Sequence, residues 1–134
     1  MKFFLIIYLF LFLNISYNLF SKKPLEESLI DGQEIYNDFC AQCHLENGEG
    51  VKGVYPPLAK SDFLKDINRT ISSIKYGLKG PITVNGENYN SIMVSQGLDD
   101  EEIADVVNYI LNSWGNKQDQ IITEEKVSSI DESI

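Results

Sequence analysis

Apolar positions along the chain fall into four stretches, each with its own rhythm, and the rhythms predict the elements. Residues 3–13 are apolar without a break; Asn14, Ser16 and Asn18 then dilute a run that ends at Phe20. A second stripe follows Asp31, which is suited to capping a helix: Ile35, Tyr36 and Phe39 share one face and lead into Cys40. Ile67, Ile71, Ile74 and Leu78 recur at helical spacing, with Gly77 and Gly80 placed to end the element. The fourth stretch is the clearest. Asp99 and Glu102 form a D-x-x-E start signal, and the acidic run 99–102 sits where a helix dipole favours negative charge. Ile103, Val106, Val107, Ile110, Leu111 and Trp114 then line one face, with Gly115 as a stop.

The segments between are punctuated by glycine and proline. Gly48, Gly50 and Gly53 indicate a loop, and Tyr55-Pro56-Pro57-Leu58 an extended stretch, because proline restricts itself and its predecessor. Residues 80–90 read as a loop with a short hairpin around Asn85-Gly86, and 89–93 as one helical turn. No internal repeat is present. The pattern gives an all-α chain: residues 1–21 as a signal peptide or N-terminal membrane anchor, 22–30 as a tether, 31–117 as the folded domain and 118–134 as a flexible acidic tail.

The length of 134 residues allows one domain. Lys2 followed by an apolar run fits an export segment, with Ser16 and Ser21 as cleavage candidates. An apolar zone of 18 residues is marginal for a membrane span, so cleaved leader and retained anchor both stand. No cysteine precedes Cys40, which excludes a lipoprotein anchor. The net charge is −9, and residues 1–21 hold only Lys2 among the charged side chains. Such a balance argues against nucleic acid, whose binding rests on basic side chains. It suits either a partner with a basic docking face or simple solubility.

Composition matters most at one place. Cys40-Ala41-Gln42-Cys43-His44 is a C-x-x-C-H motif and contains both cysteines and the single histidine of the chain. In this pattern two thiols attach covalently to one haem and the histidine ligates its iron. A structural zinc site needs four closed ligands, and only three candidates are present here. A thioredoxin-like pair belongs in a βαβ unit, which nothing here suggests. A disulfide would leave His44 unexplained. Export agrees with haem attachment, which bacteria carry out beyond the cytoplasm.

The iron of such a haem has a second axial position, and a second histidine is not available. Met93 is the only methionine outside the N-terminal segment. It either fills the core or supplies a thioether to the iron; its uniqueness favours ligation, and His/Met pairing raises a haem's reduction potential.

The order of helix, Cys40-x-x-Cys43-His44, glycine-rich loop, Pro56-Pro57-Leu58, middle helix, Met93 and a final helix ending at Trp114 resembles the class I monohaem cytochromes c over about residues 31–116. The stretch 86–93 looks like the approach to the axial methionine in bacterial members. The resemblance implies three to five helices around one covalently bound haem c. It implies Cys40 and Cys43 as attachment residues, His44 and Met93 as iron ligands, Pro56 as the carbonyl that accepts from His44, and Leu58 as an apolar contact on the haem. Gly32 and Tyr109 would meet where the first and last helices cross. Two positions depart from the common pattern: Leu45 stands where glycine is usual, and Val94 where proline is usual. The implied activity is outer-sphere electron transfer by an exported periplasmic carrier, soluble or anchored, with redox proteins as partners and no catalysis of its own. Such domains also serve as subunits of oxidases, reductases and dehydrogenases. A gas sensor or a peroxidase would need an open distal position, which Met93 argues against.

Overall fold

The computed structural model describes residues 2–20 and 23–132. The chain is built from helices α1 (Lys2–Phe20), α2 (Leu25–Ile35), α3 (Ala41–His44), α4 (Ile67–Tyr76), α5 (Asp100–Asn112) and α6 (Glu124–Ser128), with one small hairpin, β1 (Ile82–Val84) and β2 (Glu87–Tyr89). The all-α expectation holds. The hairpin is the two-residue kind, with Asn85 and Gly86 both at positive φ and Ile82 paired to Tyr89.

The described side chains of α1, at 3–15, are all exposed. Among the described residues no helix is long and apolar enough to cross a membrane. Ser21 and Lys22, the one a cleavage candidate and the other part of the expected tether, lie outside the described residues.

Helix α2 starts at Leu25 and not at Asp31. Pro24 takes the N-cap position, and Glu26 and Glu27 supply acidic charge to the first turn. Its seam with α5 passes through Gly32. A Cβ there would collide with the Asp105 carbonyl and would lie 2.8 Å from the Tyr109 Cβ. Glycine is therefore what lets the two helices close. Tyr36, fully buried, stacks against Tyr109 (5.5 Å between centroids) and Trp114 (4.9 Å) at the end of this seam.

Between α2 and α3 the backbone widens into a π turn, Tyr36–Cys40. The wider turn changes the angular spacing of the side chains within it around the helix axis. Phe39, expected on the apolar stripe, is consequently exposed, whereas Cys40 is buried.

Helix α5 begins as its sequence demands. The Asp99 carboxylate accepts from the Glu102 N–H (2.9 Å) and the Glu102 carboxylate from the Asp99 N–H (2.9 Å). Ile103, Val106, Val107, Ile110 and Leu111 form the centre of the core with Ile71 and Ile74 of α4.

Two expectations about the flanks are overturned. Ser28, within the stretch read as a tether, is buried and donates to Asp105 (2.6 Å). Residues 118–132, read as a flexible tail, carry α6 and bury Ile122, Val127 and Ile130 against the core. Asn108 ties the flanks together: its amide donates to Ser28 Oγ (2.9 Å) and the Ile122 carbonyl (2.8 Å), and its Oδ1 accepts from the Ile122 N–H (2.8 Å). Lys23 pairs with Asp105 (2.6 Å). Burial pulls the Lys23 ammonium down, yet its hydrogen bonds to Asp105 and Asp31 outweigh that and hold it well above the ordinary lysine range.

Candidate functional site

The motif segment forms a short, tightly held corner. His44 closes α3, and the chain then reverses through Leu45, whose φ of 63° and ψ of 167° lie in a region favouring glycine. The Tyr36 hydroxyl holds this reversal by donating to the Leu45 carbonyl (2.6 Å). The Gly50 N–H donates to the His44 carbonyl (2.9 Å). At Gly50 a Cβ would lie 2.7 Å from the Pro56 carbonyl oxygen, so the loop can fold against 55–56 only with glycine there.

That fold brings Pro56 to the histidine. His44 Nδ1 lies 2.9 Å from the Pro56 carbonyl oxygen. A carbonyl only accepts, so Nδ1 carries the proton and Nε2 keeps its lone pair. The ring is buried, which holds its pKa below the ordinary histidine value, with the Pro56 bond acting in the opposite direction. A neutral imidazole with a free Nε2 and a fixed Nδ1–H is the form that binds a metal.

The second wall comes from the loop after β2. Residues 90–93 do not form the expected helical turn. Tyr89 belongs to β2, and Met93 pairs with Leu78 through Leu78 N–H to Met93 O (2.8 Å) and Met93 N–H to Leu78 O (3.0 Å). Leu78 is therefore not part of α4, which ends at Tyr76 with Gly77 as its C-cap. Met93 is half-buried; Ile92 and Val94 beside it are exposed.

Between the two walls lies an apolar cleft enclosing about 580 Å³, its mouth included. Cys40, His44, Pro56, Leu58 and Met93 all line it, together with Ile74, Leu78, Ile82, Val84 and Ile110 from the surrounding elements. Cys43 is half-buried, lies outside that lining and is not disulfide-bonded to Cys40. Burial, with a smaller contribution from Cys43, pushes the Cys40 thiol up to about 12. Among the described residues no cluster of three or more His, Cys, Asp or Glu side chains stands ready to hold a metal ion.

Three polar side chains of the cleft escaped sequence reasoning: Ser61, Thr70 and Ser73. Two positions that brace its lining segments were missed as well. Asn116 donates to the carbonyls of Leu58 (2.9 Å) and Ile110 (2.8 Å) and accepts from the Lys60 N–H (2.8 Å). Asn85 accepts from the Asp62 N–H (2.9 Å). Asparagine in a turn is too common a signal to reveal such ties.

The donor set fits a haem and not a closed zinc site. One metal-ready imidazole, one thioether and a thiol border a cleft whose other walls are nearly all hydrocarbon, as a large flat apolar group requires.

Comparison with known proteins agrees. The family model described as Cytochrome c matches residues 29–114. The chain is 45% identical over 92 residues to cytochrome c-552 of Thermus thermophilus, covering 64% of this chain and 70% of that protein. It is 32% identical over 106 residues to the cytochrome c subunit of a quinone alcohol dehydrogenase from Gluconacetobacter polyoxogenes, covering 75% of this chain and 22% of that protein. It is 30% identical over 94 residues to subunit CcoP of the cbb3-type cytochrome c oxidase of Rhodobacter capsulatus, covering 66% of this chain and 31% of that protein. Motif, cleft and relatives together make this chain a member of the cytochrome c family, an electron-transfer domain with one covalently bound haem c and its iron.

Proposed function

We propose that the protein is a one-electron shuttle of the periplasm, soluble or tethered, in which His44 and Met93 hold the iron of a haem attached through Cys40 and Cys43. The observation that carries this reading is the joint placement of His44 and Met93 on the walls of one apolar cleft. Bound haem c supplies exchange of one electron between ferric and ferrous iron.

The chain's own residues set the terms of that exchange. His44 presents Nε2 because Nδ1 donates to Pro56, and the bond strengthens the imidazole as a donor. Met93 offers a neutral sulfur, which favours ferrous iron and so raises the potential. Its place in the wall rests on the paired backbone bonds with Leu78. Leu58, Ile74, Leu78 and Val84 exclude water, and low polarity disfavours the additional charge of ferric iron. No residue of the site is needed as acid, base or nucleophile, in keeping with a carrier and not an enzyme.

The acidic balance of the chain suits a redox partner with a basic docking face. A second reading, a cytochrome subunit anchored in a membrane complex, is supported by the exposed apolar side chains of α1 and by the dehydrogenase and oxidase subunits among the relatives.

Carbon monoxide distinguishes a carrier from a sensor or peroxidase. If His44 and Met93 both hold the iron, the ferrous protein would leave its spectrum unchanged under carbon monoxide while cycling with a one-electron Nernst slope. Rapid formation of an adduct would overturn the carrier reading.

A further inference from the structure

We propose that Ser61 is a haem-anchoring residue, its hydroxyl donating a hydrogen bond to a propionate carboxylate of the bound haem. This rests on haem occupying the cleft between the His44 and Met93 walls. The cleft's polar lining side chains are His44, Ser61, Thr70 and Ser73, apart from the Cys40 thiol. Three of them are already committed. His44 Nδ1 donates to Pro56, Thr70 Oγ1 to the Asp66 carbonyl (2.9 Å) and Ser73 Oγ to the Arg69 carbonyl (2.7 Å). Ser61 is 8% exposed, and its Oγ is the single buried side-chain polar atom without a partner among the described residues. A buried hydroxyl left unpaired is costly, so a partner is to be expected.

Ser61 also declines the task its position offers. It is the N-cap of the 3-10 turn Asp62–Lys65, where serine ordinarily accepts from a backbone N–H, yet it makes no capping bond. Its neighbours are pinned. The Lys60 N–H donates to Asn116, and the Lys60 carbonyl accepts from Asn85 Nδ2 (3.3 Å). The Asp62 N–H donates to Asn85 Oδ1, and Asp62 Oδ1 accepts from the Asn85 N–H (2.8 Å). Serine is thus held from both sides with its hydroxyl at an apolar wall. The polar atoms a haem presents beyond its ring nitrogens are the oxygens of its propionates. A donor pre-set for that carboxylate would fix the haem edge and share its negative charge.

The test uses the matured holoprotein carrying haem labelled with carbon-13 at the propionate carboxyls, read by infrared difference spectroscopy between the ferric and ferrous states. Ser61→Ala moves one carboxylate band, and Ser61→Thr, which keeps the hydroxyl, leaves it near its original position. Bands unmoved in Ser61→Ala would overturn the proposal. The wild-type ferrous protein gives a second reading that needs no variant: nuclear Overhauser contacts between the Ser61 β-protons and propionate methylene protons are expected, and their absence would refute the assignment. A pyridine haemochrome spectrum separates this failure from failure of the haem reading, since Ser61 acting elsewhere leaves the covalent haem in place.

Discussion

The two walls of the cleft are held by different means. The His44 wall is a buried corner: His44 is 9% exposed, its Nδ1 is fixed by Pro56, and the flanking turn is stitched by Tyr36 and Gly50. The Met93 wall is a surface loop. Met93 pairs with Leu78 through two backbone bonds, Ser91 Oγ donates to the Val54 carbonyl (2.7 Å) and Ser95 Oγ to the Lys75 carbonyl (2.7 Å), and both neighbours of Met93 face solvent. The His44 side is therefore organised by the polypeptide before any ligand arrives, whereas in the proposed ligation the Met93 side would depend more on the iron–sulfur bond itself. A ligand on the more exposed loop is the one expected to detach first when the protein is perturbed.

The largest effect is expected from breaking the link that both walls share. Replacing Cys40 and Cys43 together by alanine should abolish acid-stable haem, measured on extracted protein; retention of colour after extraction would mean that the thiols do not carry it.

Next is Gly77, which abuts the Met93 wall. Its φ is 88°, and a Cβ would lie 2.7 Å from the Met93 carbonyl oxygen. Gly77→Ala should destabilise the fold by about 2 kcal/mol and weaken the methionine ligation ahead of unfolding, followed by denaturant titration at two wavelengths. Loss of both signals in a single step would erase the difference between the walls.

Tyr36→Phe acts on the other wall, removing the donor to the Leu45 carbonyl. A cost of about 1 kcal/mol is expected, with an unchanged methionine ligation band. A change in that band would mean that the proximal corner also governs the distal ligand.

The smallest effect carries the opposite sign. Leu45 occupies backbone space that glycine tolerates best, at a cost of order 1–3 kcal/mol for a side chain, against the extra chain entropy of glycine. Leu45→Gly should raise stability by about 1 kcal/mol in thermal melts; a fall would show that the leucine side chain contributes more than its backbone costs.

The same contrast explains what the sequence discloses. Local chemistry was legible: the Asp99/Glu102 box starts α5, Asn85-Gly86 turns the hairpin, and the cysteine–histidine motif sits where the cleft forms. Contacts made over long chain separations were not. Asp31 looks like a cap, yet the helix begins six residues earlier behind Pro24, because Ser28 finds its partners on α5. Ile122, Val127 and Ile130 are isolated among polar and acidic residues, so the segment after α5 reads as solvated although these side chains fill the core. Leu78 reads as the end of a helical stripe because nothing local announces its pairing with Met93. Ser61 gave no signal at all. A serine beside two charged or polar neighbours is ordinary, and only its burial and missing partner distinguish it.

The measurement that bears most directly on ligation across the cleft is the near-infrared spectrum of the ferric protein, taken for the wild type and for Met93→Ala. A methionine-to-iron charge-transfer band in the wild type, lost in the variant together with a fall in reduction potential and with the covalent haem retained, is the predicted result. A variant with the same band and the same potential would contradict ligation by Met93.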